Sequence, residues 1–151
     1  LGIALSDEPS GKLTFNLGTV QGDAASFIIR INYRYPVTKT YEDCAPILNQ
    51  AFAESGFTQL KEIHKKCLYL PENSPLVQTL LRVYAEQTGL PPYPKSIGGG
   101  TYAKVIPNIV AFGPIFPGDE VREHKPDEFI KIDELMQNAH ILAEALYQLA
   151  K

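Results

Sequence analysis

The chain has 151 residues, of which 44% are hydrophobic and 21% charged, with a net charge of −3 and a pI near 5.6. This composition is typical of a globular protein with a core large enough to fold. It excludes a membrane-spanning run of about 18 apolar residues, and its scattered basic residues exclude an obvious binding face for DNA or RNA. Leu1 stands where a start methionine would, and no signal peptide follows, so we expect a cytoplasmic fragment that begins inside a longer protein.

The first half of the chain predicts strands around one helix. Apolar and polar residues alternate from Leu13 to Leu17 and from Phe27 to Tyr33, which indicates two half-buried strands. A helix is predicted from an N-cap at Asp43 to Ser55, and a weaker strand from Phe57 to Tyr69. The order strand, strand, helix, strand predicts half or more of a ferredoxin-like α+β unit.

The second half predicts two helices around a buried strand. Ser74 is the expected N-cap of a helix that ends at Gly89, and a short apolar strand is expected at Ile109–Gly113. The last helix begins near Asp133. Its predicted buried stripe consists of leucines and one alanine: Leu135, Ala139, Leu142, Leu146 and Leu149. Cys44 and Cys67, the only cysteines, are expected to be free thiols.

Two loops contain residues that could bind a ligand. In the loop Gly98-Gly99-Gly100-Thr101, backbone N–H groups could converge on an oxygen without obstruction by Cβ atoms, although a plain turn is equally compatible with the sequence. His124 lies in an acidic loop where a metal would find suitable donors. It has no second histidine at metal-ligand spacing, and a solvent-facing histidine is the alternative.

The polar face of the second strand is a third candidate. Arg30 and Arg34 lie on this face, and a guanidinium presents a planar fork that suits a carboxylate. A solvated polar face explains the same pattern. His64 and His140 are expected to be solvent-facing.

Several segments taken together resemble the PepV-type (Xaa-His) dipeptidases, relatives of carnosinases, aminoacylases and succinyl-diaminopimelate desuccinylases. The resemblance covers essentially the whole chain, in order. The segments that carry it are Gly11–Gly18, Asn32–Val37, Leu68–Pro71, Ser74–Val77, Gly98–Ala103, Val110–Pro114 and His124–Ile130.

This resemblance implies a zinc metallopeptidase fragment of mixed α+β and α/β class. Residues 1–68 would be the later part of a ferredoxin-like lid domain, and residues 69–151 the C-terminal part of a helix-covered catalytic domain that holds two zinc ions. It also implies that His124 is the final zinc ligand, that Arg34 binds the substrate's C-terminal carboxylate, and that Gly98, Gly99, Gly100 and Thr101 form a backbone cradle for the same group. Lys104 stands where the family often has arginine, which weakens any role for it as a carboxylate clamp.

The implied function is hydrolysis of dipeptides or short peptides by a metal-activated water. The family's His-x-Asp pair and Glu-Glu base occur nowhere in the chain, so at most one zinc ligand and no catalytic residue are expected here. We therefore expect the isolated chain to be inactive, and either to bind the missing N-terminal part or to self-associate. The alternatives are a related zinc-dependent N-acyl-amino-acid deacylase or desuccinylase, or a non-catalytic interaction fragment.

Overall fold

The computed structural model describes residues 3–113 and 115–151, so Leu1, Gly2 and Pro114 (the end of one family-like segment) lie outside the described residues. The chain divides into two compact units. One comprises Leu1–Leu68 with Ser96–Gly99, and the other comprises Tyr69–Lys95 with Gly100–Lys151. Helices and antiparallel strands occur together, which confirms the α+β class. Among the described residues, no helix is long and apolar enough to cross a membrane.

The first unit contains two antiparallel hairpins. Strands β1 (Ser6–Asp7) and β2 (Gly11–Lys12) form a small hairpin, and β3 (Thr14–Gly22) pairs with β4 (Phe27–Arg34) in a longer one. The β3–β4 register is shifted between Leu17 and Thr19, where the strand is irregular. On β4, Ile29, Ile31 and Tyr33 are half-buried while Arg30, Asn32 and Arg34 are exposed, which confirms the predicted alternation for this part of the strand. Phe27 and every residue of β3 are exposed, so the predicted half-buried face of the first strand was wrong.

The turn between β1 and β2 is organised by one carboxylate. Oδ1 of Asp7 accepts hydrogen bonds from the backbone N–H and the hydroxyl of Ser10, both at 2.8 Å, and Oδ2 accepts the backbone N–H of Thr38 at 2.9 Å. Desolvation raises the pKa of Asp7, but these hydrogen bonds outweigh it and bring the pKa down to about 2. The ionised carboxylate therefore ties the first hairpin to the segment that follows β4.

Helix α1 (Tyr41–Glu54) begins earlier than its predicted N-cap at Asp43. Thr40 is the N-cap: its hydroxyl accepts the backbone N–H of Asp43, whose carboxylate accepts the N–H of Thr40 in return. This reciprocal capping box stabilises the first turn. As a consequence Pro46 lies inside the helix, where it cannot donate a backbone hydrogen bond to Glu42.

Aromatic rings join α1 to the longer hairpin. The rings of Phe52 and Phe15 stack with centroids 6.4 Å apart, and Phe57 packs edge-on against both Phe27 and Phe52. The buried side of α1 consists of Cys44, Ala45 and Leu48. Cys44 and Cys67 are both free thiols, as predicted.

The second unit is built on two helices. Helix α2 (Pro75–Thr88) follows Ser74 and ends at Gly89, whose φ of +68° is the left-handed conformation that glycine adopts without strain, so both predicted ends are confirmed. A 3-10 helix spans Tyr102–Val105, and helix α3 spans Ile132–Leu149. The core contains Leu80, Val83, Ile141 and Ala145, with Leu76, Val110, Phe112 and Phe116 packed against it.

The predicted stripe of α3 was wrong. The face that α2 covers carries Asn138, Ile141 and Ala145, whereas Leu142 is 45% exposed and Leu146 is 69% exposed. Apolar residues occupy two adjoining faces of this helix, and their period alone does not indicate which face meets α2.

Two predicted strands do not form. Phe57–Tyr69 and Ile109–Gly113 have no strand structure, and no described segment pairs with either of them. A strand is defined by hydrogen bonds to a neighbour, so an apolar pattern without a neighbouring strand remains irregular.

Candidate functional site

Arg34 lies at the end of β4 and its side chain is exposed. Its guanidinium makes no hydrogen bond or ion pair to any residue that the structure describes, whereas Nη1 of Arg30 lies 3.4 Å from Oγ1 of Thr19 and 3.3 Å from Oε1 of Gln21. Of the two predicted arginines, Arg34 therefore has the donors that are available to a ligand.

The guanidinium of Arg34 lies directly beside Gly98. A methyl group added at Gly98 would stand 3.1 Å from Nη1 and 3.6 Å from Cζ of Arg34. Both residues belong to the same compact unit, although 64 positions separate them in the sequence. The structure thus brings together two residues that were predicted to bind the same carboxylate, and their role in binding it stays a prediction.

The glycine loop extends from one unit into the other. Gly98 and Gly99 belong to the unit with the hairpins, and Gly100 and Thr101 belong to the unit with α2 and α3. None of the three glycines has a positive φ, so none of them is needed for a left-handed backbone. What glycine provides at these positions is the space that a side chain would fill. Thr101 caps the 3-10 helix, its hydroxyl accepting the N–H of Ala103 at 3.2 Å, and the ammonium of Lys104 lies next to Gly100.

His124 lies in the exposed loop that precedes α3, in the second unit. Its φ is +62°, a left-handed conformation that is uncommon for residues other than glycine. The backbone N–H of His124 donates to Oε2 of Glu128 at 3.2 Å. The imidazole itself has no hydrogen-bond partner among residues 3–113 and 115–151, so its nitrogen donors are available to a ligand.

Three carboxylates in this part of the second unit are already paired. Asp119 and Glu134 both bind the ammonium of Lys131, and Glu120 binds Arg122 at 2.7 Å. Together with Glu123 and Glu128 these side chains line a groove of about 290 Å³ beside the loop. Within the described part of the chain, no three His, Cys, Asp or Glu side chains are arranged to hold a metal ion.

An aromatic and acidic cluster in the first unit was not predicted. Nε2 of His64 lies 2.7 Å from the hydroxyl of Tyr35, and the ring of His64 lies 4.5 Å from that of Tyr41. A hydrogen bond to Glu62 raises the pKa of Tyr41 to about 12 and lowers the pKa of Glu62. His64 is exposed, as predicted, and its contacts with Tyr35 and Tyr41 anchor the irregular segment after α1. Its partner Tyr35 is 29 positions away, so local sequence gave no signal of the contact.

The chain is similar to known proteins along most of its length. The sequence pattern of peptidase family M20/M25/M40 matches residues 6–148. The chain is 39% identical over 153 residues to "Putative dipeptidase YtjP" of Bacillus subtilis strain 168, covering 100% of this chain and 32% of that protein. A similarly named protein of Staphylococcus epidermidis is 34% identical over 151 residues, again with 32% of its length covered.

A relative with a more specific name matches a shorter stretch. The "Beta-Ala-Xaa dipeptidase" of Lactobacillus delbrueckii subsp. lactis is 43% identical over 83 residues, which is 55% of this chain and 18% of that protein. The chain thus spans about a third of the length of the relatives that it matches from end to end.

Proposed function

The chain belongs to peptidase family M20/M25/M40, and from this membership we propose that it is the C-terminal part of a dinuclear-zinc dipeptidase that hydrolyses short peptides. The names of its relatives support a peptidase that acts on dipeptides. The fact that it spans 32% of two of those relatives supports a fragment of a longer protein.

The two compact units correspond, in this proposal, to two parts of the parent enzyme. The unit with the hairpins and α1 is the later part of the lid, and the unit with α2 and α3 is the last part of the catalytic domain. Arg34 and Gly98 lie in the first of these units, and His124 lies in the second.

The donor set of this chain fits one ligand of a zinc site. The His124 imidazole is exposed, and it is unbonded within the part of the chain that the structure describes. A catalytic zinc needs about three protein ligands, so the others and the general base are proposed to come from the missing N-terminal part. Bound zinc would supply a water of lowered pKa.

The proposal gives each of these residues one role. His124 would hold the metal through a ring nitrogen. Arg34 would bind the C-terminal carboxylate of the substrate through its unpaired fork, and the Gly98 loop would leave room for that carboxylate beside the guanidinium.

The decisive experiment replaces His124 in the full-length protein. His124→Ala should lower the zinc content by about one ion and reduce dipeptide turnover by orders of magnitude, with little change in thermal stability because the side chain is exposed. His140→Ala is the matched control, since His140 is exposed on α3. Full zinc content and normal turnover in His124→Ala would contradict the proposal.

Substrate assays separate the proposal from its enzymatic alternative. A dipeptidase should hydrolyse dipeptides with a free C-terminal carboxylate and should lose them as substrates when that carboxylate is amidated. A related deacylase or desuccinylase would instead prefer N-acyl or N-succinyl amino acids. The isolated chain should show no peptidase activity, because it lacks the remaining ligands.

A further inference from the structure

The loop that carries His124 holds two residues in a conformation they rarely adopt. His124 has a φ of +62° and Asp127, three positions later, has a φ of +57°. Left-handed residues other than glycine persist only where the surrounding structure over-determines them, and they are concentrated at functional sites. The contacts that impose this conformation are therefore informative.

Two hydrogen bonds fix the backbone around His124. The N–H of Lys125 donates to the carbonyl of Arg122 at 3.1 Å, which closes a turn with His124 as its third residue. The N–H of His124 donates to Oε2 of Glu128 at 3.2 Å. The second bond fixes the peptide plane immediately before His124, and with it the direction of the Cα–Cβ bond.

The geometry points to Glu128 as a positioning residue for His124 in metal binding, an inference that rests on the proposed function. Glu128 contacts the backbone of His124 and not its imidazole. A metal ligand must be held within roughly 0.5 Å of its productive position by the groups that support it. With the backbone fixed, only the two side-chain torsions of His124 remain to be set by the metal.

Two conservative replacements separate this role from that of a direct ligand or a negative charge. Glu128→Gln keeps an acceptor oxygen at the same reach but removes the charge. Glu128→Asp keeps the charge but shortens the side chain by one methylene, so that it no longer reaches the N–H of His124. If Glu128 positions His124, its side chain must be long enough to reach the N–H of His124, and Glu128→Gln should suffice. If Glu128 is a metal ligand or acts through its charge, the carboxylate is required, because zinc is bound by carboxylates and not by amides.

The test uses the full-length protein and measures zinc affinity by chelator competition, together with kcat and KM on a dipeptide. Glu128→Ala and Glu128→Asp should weaken zinc binding by about 10- to 100-fold and lower kcat while KM changes little, as expected when the support of a metal ligand is lost. Glu128→Gln should stay within about threefold of the wild type on the same scale. Glu123→Ala is the matched control, because Glu123 adjoins His124 and has no hydrogen bond or ion pair among the described residues.

The outcomes separate the two proposals. If Glu128→Gln is as impaired as Glu128→Asp, the carboxylate acts as a ligand or a charge and the positioning role is overturned. If Glu128→Ala binds zinc normally while His124→Ala does not, only the positioning role fails. If His124→Ala also binds zinc normally, the proposed function fails with it. If Glu128→Ala does not fold, the comparison of Glu128→Gln with Glu128→Asp still tests the positioning role.

Discussion

Adding one methyl group at Gly98 should impair substrate binding by moving the guanidinium of Arg34. The new Cβ would stand 3.1 Å from Nη1, so the guanidinium must move by a few tenths of an ångström. Complete loss of one partner in a desolvated charge pair costs about 2–5 kcal/mol. A displacement this small should remove only part of that, about 0.5–1.4 kcal/mol, which corresponds to a roughly 2- to 10-fold increase in KM.

Gly18→Ala is the matched control for this experiment, because Gly18 lies outside the glycine loop. Its added methyl group would lie 3.4 Å from the carbonyl oxygen of Arg30, an ordinary van der Waals distance, and neither glycine has a positive φ that alanine would strain. Steady-state kinetics of the full-length protein with a dipeptide should show the increase in KM for Gly98→Ala alone, at similar kcat. Thermal stability should not change, because the end of a flexible side chain moves easily. Equal KM values for the two variants would refute the proposed pairing of Gly98 and Arg34 at the substrate.

Arg34→Ala should lower kcat/KM by roughly 30-fold or more, and Arg34→Lys should recover only part of it for want of a bidentate fork; an equal loss in Arg30→Ala would contradict the role. Because the pKa of Tyr41 is raised to about 12, the stability it contributes is fully present below pH 10 and is lost as the pH rises through 12. Glu62→Gln should return the tyrosinate absorbance titration of Tyr41 towards 10.0, and an unchanged titration would argue against the hydrogen bond. Asp7 has the opposite sign: its pKa of about 2 makes its contribution present above pH 3.8 and lost as the pH falls towards 2. Asp7→Asn should therefore lower the thermal midpoint at about pH 5 and approach the wild type near pH 2, and a pH-independent difference would contradict this.

Local signals in the sequence predicted the elements that depend on local interactions. Pro75 and Gly89 delimit α2 because a proline at the first helical position and left-handed termination are properties of a few adjacent residues, whereas the hydroxyl of Ser74 makes no capping hydrogen bond. The alternation of apolar and polar residues on β4 is also a local pattern, and it predicted the exposed arginines of that strand. The start of α1 was misplaced by three residues because Asp43 can cap a helix directly or act at the third position of a capping box, and only the hydrogen bonds distinguish the two.

Features that depend on distant partners could not be predicted in the same way. The buried face of α3 depends on the position of α2, and segments 57–69 and 109–113 form no strand because no described strand pairs with them. In the candidate site, the resemblance to a family indicated Arg34, the glycine loop and His124. It gave no indication of the hydrogen bond from His124 to Glu128, since the role of Glu128 depends on one backbone N–H and not on a residue pattern.

The left-handed backbone at His124 also restricts which amino acids can replace it over evolutionary time. Asparagine and aspartate tolerate a φ of +62° better than most residues, and glycine adopts it freely, whereas valine and isoleucine are strongly disfavoured. A saturation library at this position should therefore retain abundant folded protein for Gly, Asn and Asp, and lose abundance for Val and Ile. A replacement at this position must tolerate the left-handed backbone and must also supply the chemistry of the imidazole. Few substitutions of His124 should therefore be neutral.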